Sequence, residues 1–283
     1  MAPTLTSIRE IERQMSTLRA EPGTDAPYQR TSVMTHTAWV PEEWVEAAED
    51  VLSGLAERHP SRTIVLIPRP DDEDGLEGEV EVEVYPVGEG RAICTETIRV
   101  RLKGARAAAP ASVIQPLLLP DLPAFLRWRG LPPFGESHFD GLVDVVDRLI
   151  VDSTEWPDLP GSYRGLTEIF DRVAVSDIAW ARTSRWRPQL ASLWPHIAKV
   201  KRIRVTGTAA QAHLLAGWLR SRLEHPVELD HEPSDRLVGV ELDGEPAPFP
   251  PGDPPAGSDL LSEELDKFGR DRIYEDAVRA AVT

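Results

Sequence analysis

The apolar positions change period along the chain, from strand-like runs alternating with helices to a mostly helical second half. Behind Ser7-Ile-Arg-Glu10, a capping-box pattern, Ile8, Ile11, Met15 and Leu18 recur at helical spacing and predict an amphipathic helix from about 7 to 19. The β-branched run Thr31–Val40 reads as a strand, Pro41 with Glu42 and Glu43 starts a helix over Trp44–Arg58, and His59-Pro60 ends it. Thr63–Ile67 follows as a short apolar strand, so strand, helix and strand make a first α/β unit with a parallel pair. Asp71–Glu79 is acidic, contains glycine and lacks apolar periodicity, which predicts a solvated loop without a specific role. Glu79–Tyr85 alternates acid and valine, Ala92–Leu102 alternates less strictly, and Gly88 and Gly90 lie between them: a β-hairpin with one wet face.

The centre of the chain is Ser112–Gly130, an apolar run broken by Pro116, Pro120 and Pro123. Those prolines exclude one continuous helix and predict a short helix, a tight turn over Pro120–Pro123 and a buried strand Ala124–Trp128. Phe139–Val146 reads as a short helix feeding the strand Leu149–Val151, which stops at Asp152-Ser153. Beyond Ser162, a stripe of Leu166, Ile169, Phe170 and Val173 and two short segments around Asp177–Trp180 and Arg185–Ala191 are helical. Trp156, Trp180, Trp186, Trp194 and Trp218 fall in this half and read as core rather than as cofactor-stacking groups. Strand Lys199–Thr206 leads through Gly207-Thr208 into a helix carrying Leu214, Leu215, Trp218, Leu219 and Leu223, and strands Val227–His231 and Leu237–Leu242 complete a second α/β unit. Six prolines in Glu245–Gly257 predict a stiff extended linker, and Leu260, Leu261, Leu265, Phe268, Ile273 and Val278 a single C-terminal helix.

The fold class expected is therefore α/β, two small units of mixed sheet flanked by helices. The domain expectation is 1–155, 156–245, a Pro-rich linker 246–258 and a helix 259–283. Composition narrows the function. With 47 Asp and Glu against 31 Lys and Arg the formal charge is −16, which disfavours a nucleic-acid partner. No apolar run approaches the roughly 20 residues of a membrane span, and the N-terminus lacks a signal pattern, so the expectation is a cytoplasmic protein without a membrane partner. Cys94 is the single cysteine and allows neither an intrachain disulfide nor a multi-cysteine metal site.

Catalytic patterns are missing. The histidines form no i, i+4 pair with a glutamate, the serine in Gly161-Ser-Tyr-Arg-Gly165 sits one place early for a nucleophile elbow, and Gly88-Glu-Gly90 lacks the third glycine and the helix of a dinucleotide fingerprint. No catalytic residue, cofactor or metal is assigned. Two strand ends remain as ligand-binding candidates, because polar residues beyond the carboxyl ends of strands face the crevice in open α/β sheets. One is Asp152 and Ser153, which also suit a turn or helix cap; the other is Gly207 and Thr208, at a helix N-terminus whose backbone N–H groups suit an anion.

One resemblance spans most of the chain. His59-Pro-Ser-Arg62 before an apolar strand, Pro116-Leu-Leu-Leu-Pro-Asp-Leu-Pro123 leading to Trp128-Arg-Gly130, and Asp147-Arg148 before Val151-Asp-Ser153 resemble segments of the glucose-6-phosphate dehydrogenase assembly protein family, OpcA. Asp177, Trp180, Arg182, Trp186-Arg187, Leu190-Ala191, Leu214–Leu219 and Leu260–Ala277 with Gly269-Arg-Asp271 continue it in order. The resemblance implies a non-enzymatic partner that promotes assembly and activation of glucose-6-phosphate dehydrogenase, the entry to the oxidative pentose phosphate pathway and a source of NADPH. Members often carry two adjacent tryptophans where this chain has Arg127-Trp128, and with Cys94 alone an intrachain redox switch cannot apply. On this reading Arg62, Trp128, Arg129, Arg185 and Arg187 are the partner-binding candidates, since Trp and Arg are enriched at interface hot spots; for Trp128 a core position is the alternative. The rival class is a small-molecule module that senses a sugar phosphate or nucleotide at the strand ends.

Overall fold

The computed structural model describes residues 4–20, 32–48, 58–86 and 92–283. The chain divides into two compact units, Met1–Leu149 and Ile150–Thr283, and is mixed α/β throughout.

In the first unit, strands β1 (Met34–Trp39), β2 (Ser61–Arg69), β3 (Gly75–Pro86), β4 (Ala92–Lys103) and β5 (Ala124–Trp128) stand in the order β3-β4-β2-β1-β5. All neighbours are parallel except the outer pair β3–β4. A parallel strand covered on both faces carries a near-continuous apolar run, and β1 is buried at every position. The expected parallel pairing of the first two strands is present, with Met34 opposite Ser61. A 3₁₀ turn Glu42–Trp44 leads into helix at 45–48; residues 49–57 of the expected helix, and the hairpin turn with Gly88 and Gly90, lie outside the described residues, and Arg58, the expected last helical residue, is in a turn.

The acidic stretch is not all loop. β3 begins at Gly75, and Glu77, Glu79 and Glu81 each reach diagonally to a cation on β4, at Lys103, Arg101 and Arg99, the last two at 2.9 Å. These residues are a strand because the antiparallel ladder with β4 continues to Gly75 opposite Lys103; the facing cations relieve the repulsion among the acids, each pair adding only a few tenths of a kcal/mol at the surface. The stretch also has a packing role. Gly78 pairs with Leu5 and lets Ile11 of the helix Ile8–Ala20 lie against the strand, where a Cβ would come within 2.7 Å of Ile11 Cδ1.

The Pro-broken centre folds as its punctuation predicts: helix Ala111–Ile114, a 3₁₀ turn Gln115–Leu117, a turn with Asp121 at φ 62°, then β5. The turn is locked to the sheet, since Leu119 N donates to Thr35 Oγ1 at 3.0 Å. Beneath it lies a buried ion pair. Arg62 Nε donates to Glu96 Oε2 at 2.8 Å and Nη1 to the Leu117 carbonyl at 2.7 Å, with both side chains at most 7% exposed. Glu96→Ala is expected to cost about 4 kcal/mol in urea unfolding by leaving the buried guanidinium without this carboxylate, whereas the joint change Arg62→Met with Glu96→Leu recovers most of the loss.

In the second unit, β8 (Arg202–Gly207), β9 (Glu228–Pro233), β10 (Gly239–Leu242) and β11 (Glu245–Pro246) form a sheet in the order β11-β10-β8-β9, with β8 and β9 parallel. Helix Ala209–Leu223 packs on β8 and β9, and the exposed side of β8 and β9 is laced by Arg202–Glu228 and Arg204–Asp230 pairs at 3.0 and 2.8 Å. Strand β6 (Arg148–Val151) carries the chain across the boundary, and β7 (Ala174–Asp177) follows.

One expectation is corrected here. The single C-terminal helix is two, Gly257–Leu265 and Arg272–Ala281, because Asp271 caps the second by accepting from Tyr274 N at 3.0 Å; Phe268 between them is 71% exposed. The Pro-rich stretch, expected as a stiff extended linker, also makes contacts of its own: Glu245–Pro246 pairs with β10, and Arg185 Nη2 donates to the carbonyls of Pro250, at 3.1 Å, Pro251 and Gly252.

Candidate functional site

The second unit brings the two strand-end candidates to one place. After β6, Asp152 caps a 3₁₀ turn Ser153–Glu155, its Oδ1 accepting from Thr154 N at 3.2 Å and Thr154 Oγ1 at 2.6 Å. Arg182, just past the short helix Ile178–Ala181, donates through Nη1 to both Asp152 oxygens at 2.8 Å. After β8, Thr208 caps the helix Ala209–Leu223 with a full capping box, its Oγ1 accepting from Gln211 N at 3.3 Å and its N–H donating to Gln211 Oε1 at 3.1 Å. The Gly207 carbonyl accepts from Ser234 N at 3.0 Å and meets His231 Nε2 at 2.9 Å. Between these groups opens a cleft of about 610 Å³ walled by Thr154, Arg182, Gly207–Ala209, His231 and Pro233–Asp235.

The candidates play different parts in it. Gly207 and Thr208 line the cleft, while Asp152 and Ser153 are buried behind it and present Arg182 and Thr154 instead. Sequence reasoning missed Arg182 as a lining residue. The available signal was Asp152 itself, since an acid at a buried strand end needs a cation to hold it. Chemically the cleft offers hydroxyls, the first-turn N–H groups of a helix and a guanidinium whose charge Asp152 offsets. That set suits a polar or weakly anionic group.

Ser153 faces inward, into a buried network around Asp177. Asp177 Oδ1 accepts from Ser153 N at 3.0 Å and Ala179 N at 2.9 Å, and Oδ2 meets Ser153 Oγ at 2.6 Å and accepts from Tyr274 OH at 3.3 Å. Tyr163 OH lies 3.1 Å from Ser153 Oγ and 3.4 Å from the Ala210 carbonyl. Burial, then the neighbouring Asp152 carboxylate, push Asp177 up to about 7 against the opposing hydrogen bonds from Ser153 and Ala179. Burial also raises both tyrosines well above their ordinary value.

Each partner-binding candidate is engaged inside its own unit. Arg62 is buried on Glu96, which takes it off the surface. Trp128 is 4% exposed and stacks on Trp39 with ring centroids 4.7 Å apart, so its core alternative holds. Arg129 lies over the Trp44 ring at 4.1 Å. Arg185 holds the proline stretch, and Arg187 sits 3.5 Å over the Trp180 ring while its Nη1 donates to the Trp180 carbonyl and Thr183 Oγ1, both at 3.2 Å. Desolvation draws Arg187 down to about 10. Of the five tryptophans expected in the core, Trp156, Trp180, Trp186 and Trp218 are buried, but Trp194 is 68% exposed.

Fold and site together define a two-unit α/β protein whose polar strand ends are tied up largely by its own hydrogen bonds. Comparison with known proteins gives the class a family. A model described as "Glucose-6-phosphate dehydrogenase subunit N-terminal domain" matches residues 53–168, and its C-terminal counterpart matches residues 173–248. Three relatives carry OpcA and the OxPP cycle in their names. That from Nostoc punctiforme is 28% identical over 194 residues, 64% of this chain and 42% of the relative. That from Synechocystis is 26% identical over 192 residues, 63% and 40%, and that from Synechococcus elongatus 25% over 226 residues, 71% and 50%. The chain belongs to the OpcA family, as the ordered segments from His59 to Ala277 lead one to expect. It spans half or less of the length of these relatives.

Proposed function

We propose that this protein is a non-enzymatic assembly factor and activator of glucose-6-phosphate dehydrogenase, acting in the cytoplasm to support the oxidative pentose phosphate pathway and NADPH supply. The observation that carries the reading is the consecutive match of both family models, which together account for most of residues 53–248. The acid, hydroxyl and tyrosines around Asp177 bond to one another and to backbone groups, as a network that holds the second unit together would. The test is the rate of the cognate dehydrogenase with increasing amounts of this protein. The expected result is a saturable rise in rate, and an unchanged rate at stoichiometric excess contradicts activation.

A second reading is favoured by one observation, the convergence of Thr154, Arg182 and Thr208 on a single cleft. In it the protein senses a sugar phosphate or nucleotide. Calorimetry against glucose 6-phosphate and NADP separates the two: heat that disappears in Arg182→Ala supports the sensor, and silence from both ligands removes it.

A further inference from the structure

Trp194 is an exposed aromatic side chain at the edge of a groove. Among the described residues Trp194, Phe249 and Phe268 are the aromatics more than 60% exposed. Phe249 meets the buried Trp186 edge-on at 5.2 Å, and Phe268 lies in the short connection between the last two helices. Trp194 instead borders a groove of about 540 Å³, walled on one side by Ser192–Trp194 and His196 and on the other by Asp243 and Glu245–Pro248. Buried Ile197, Val200 and Leu242 make its floor.

Both walls are fixed before anything binds. His196 N and Ile197 N donate to the Leu193 carbonyl at 2.8 and 3.2 Å, Ala247 N donates to Val240 O at 2.8 Å, and the Asp243 carboxylate accepts from Lys201 N and Arg202 N at 3.1 and 2.9 Å. A large ring held at the edge of a rigid apolar groove loses little entropy on association, which is the setting in which tryptophan becomes a hot spot. The charge at the rim sets the chemistry of the partner. Asp243 is spent on backbone N–H groups, but Glu245 is exposed and makes no ion pair with any described residue, in a chain of net charge −16. Every residue of the groove lies within 173–248, the span matched by the second of the two family models.

We infer that the Trp194 groove docks a segment of glucose-6-phosphate dehydrogenase that places an aliphatic or aromatic side chain between Trp194 and Pro246–Pro248 and a Lys or Arg beside Glu245. This rests on the assembly reading above and gives it a surface. It also moves the partner contact away from Trp128 and the four arginines, which are engaged elsewhere.

The experiment measures the affinity of the full chain for the cognate dehydrogenase by biolayer interferometry at low and high salt, for the wild type, Trp194→Ala, Glu245→Lys and the control Phe268→Ala. Trp194 and Glu245 are exposed, so all variants are expected to melt with the wild type. Docking in the groove predicts a loss of about 30-fold or more for Trp194→Ala. It predicts a loss of about fivefold for Glu245→Lys at low salt that shrinks at high salt. Phe268→Ala binds as the wild type does. Binding by Trp194→Ala within about threefold of a wild type that does bind overturns the groove and leaves the assembly reading standing. A wild type that does not bind overturns the assembly reading itself.

Discussion

Asp177→Ala is expected to lower the stability of the second unit by about 4 kcal/mol, because four donors or hydroxyls around it lose their acceptor in a dry interior. Ser153 N, Ala179 N, Ser153 Oγ and Tyr274 OH all meet this carboxyl, and each orphaned buried group costs roughly 1–3 kcal/mol before relaxation. Asp177→Asn behaves differently. Its carbonyl can keep the two backbone N–H groups while its NH₂ donates to Ser153 Oγ, which then donates to Tyr163 OH, as in the protonated acid; Tyr274 OH, which donates to Asp177 Oδ2, must turn and accept from the NH₂ instead. The two variants therefore separate by pH. With Asp177 held up to about 7 against an ordinary value of 3.8, the folded state keeps a proton that the unfolded state releases. This contribution is full below about pH 4 and falls as pH rises through about 7. Urea midpoints between pH 5 and pH 8 are expected to decline for the wild type more than for Asp177→Asn; equal slopes would remove Asp177 as the titrating group.

Gly217→Ala is expected to undock the last helix. A Cβ at Gly217 would stand 2.1 Å from the Ala277 carbonyl oxygen and 3.0 Å from Ala281 N, all backbone, so no rotamer change relieves it. Overpacking of this kind costs about 3 kcal/mol. Separation of Arg272–Ala281 from Ala209–Leu223 also breaks Tyr274 OH to Asp177 and Trp180 Nε1 to Asp271, at 3.3 and 2.9 Å. Hydrogen exchange over 272–281 is the direct readout, with a rise expected in Gly217→Ala. The control is Gly141→Ala, where the nearest atom is Ala111 Cβ at 3.5 Å. Helix propensity there favours a gain of up to about 1 kcal/mol. Unchanged exchange in Gly217→Ala would show that the two helices can slide apart without losing the network.

What the sequence revealed follows from which interactions are local. The turn at Pro120–Pro123 and the helix start at Gly207-Thr208 were legible because proline restriction and the switch from strand to helix period act within a few residues. The apolar run Thr63–Ile67 was legible because a parallel strand is buried on both faces. What was missed depends on partners far along the chain. Glu77 and Glu79 lie in a strand because β3 pairs with β4 as far as Gly75 opposite Lys103, with Arg101 and Lys103 within reach of their carboxylates, and the prolines at 250–251 are docked where Arg185 reaches them across 65 residues or more and Phe249 meets Trp186. The site shows the same division. Its strand-end location could be read from Asp152 and Thr208, but that Arg182 would wall the cleft, and that Arg62 and Trp128 would turn inward, is decided by long-range pairs. Trp194 escaped because a tryptophan near helical segments has the composition of a core residue, and only the fold leaves its face open.

If this protein is an assembly factor as proposed, it joins the dehydrogenase and changes the mass of the complex. Light scattering of the dehydrogenase alone, this protein alone and their mixture reads that directly. A species in the mixture heavier than either component, at a fixed ratio of the two chains, is expected; a mixture that elutes as its two separate components, with neither mass changed, rules assembly out.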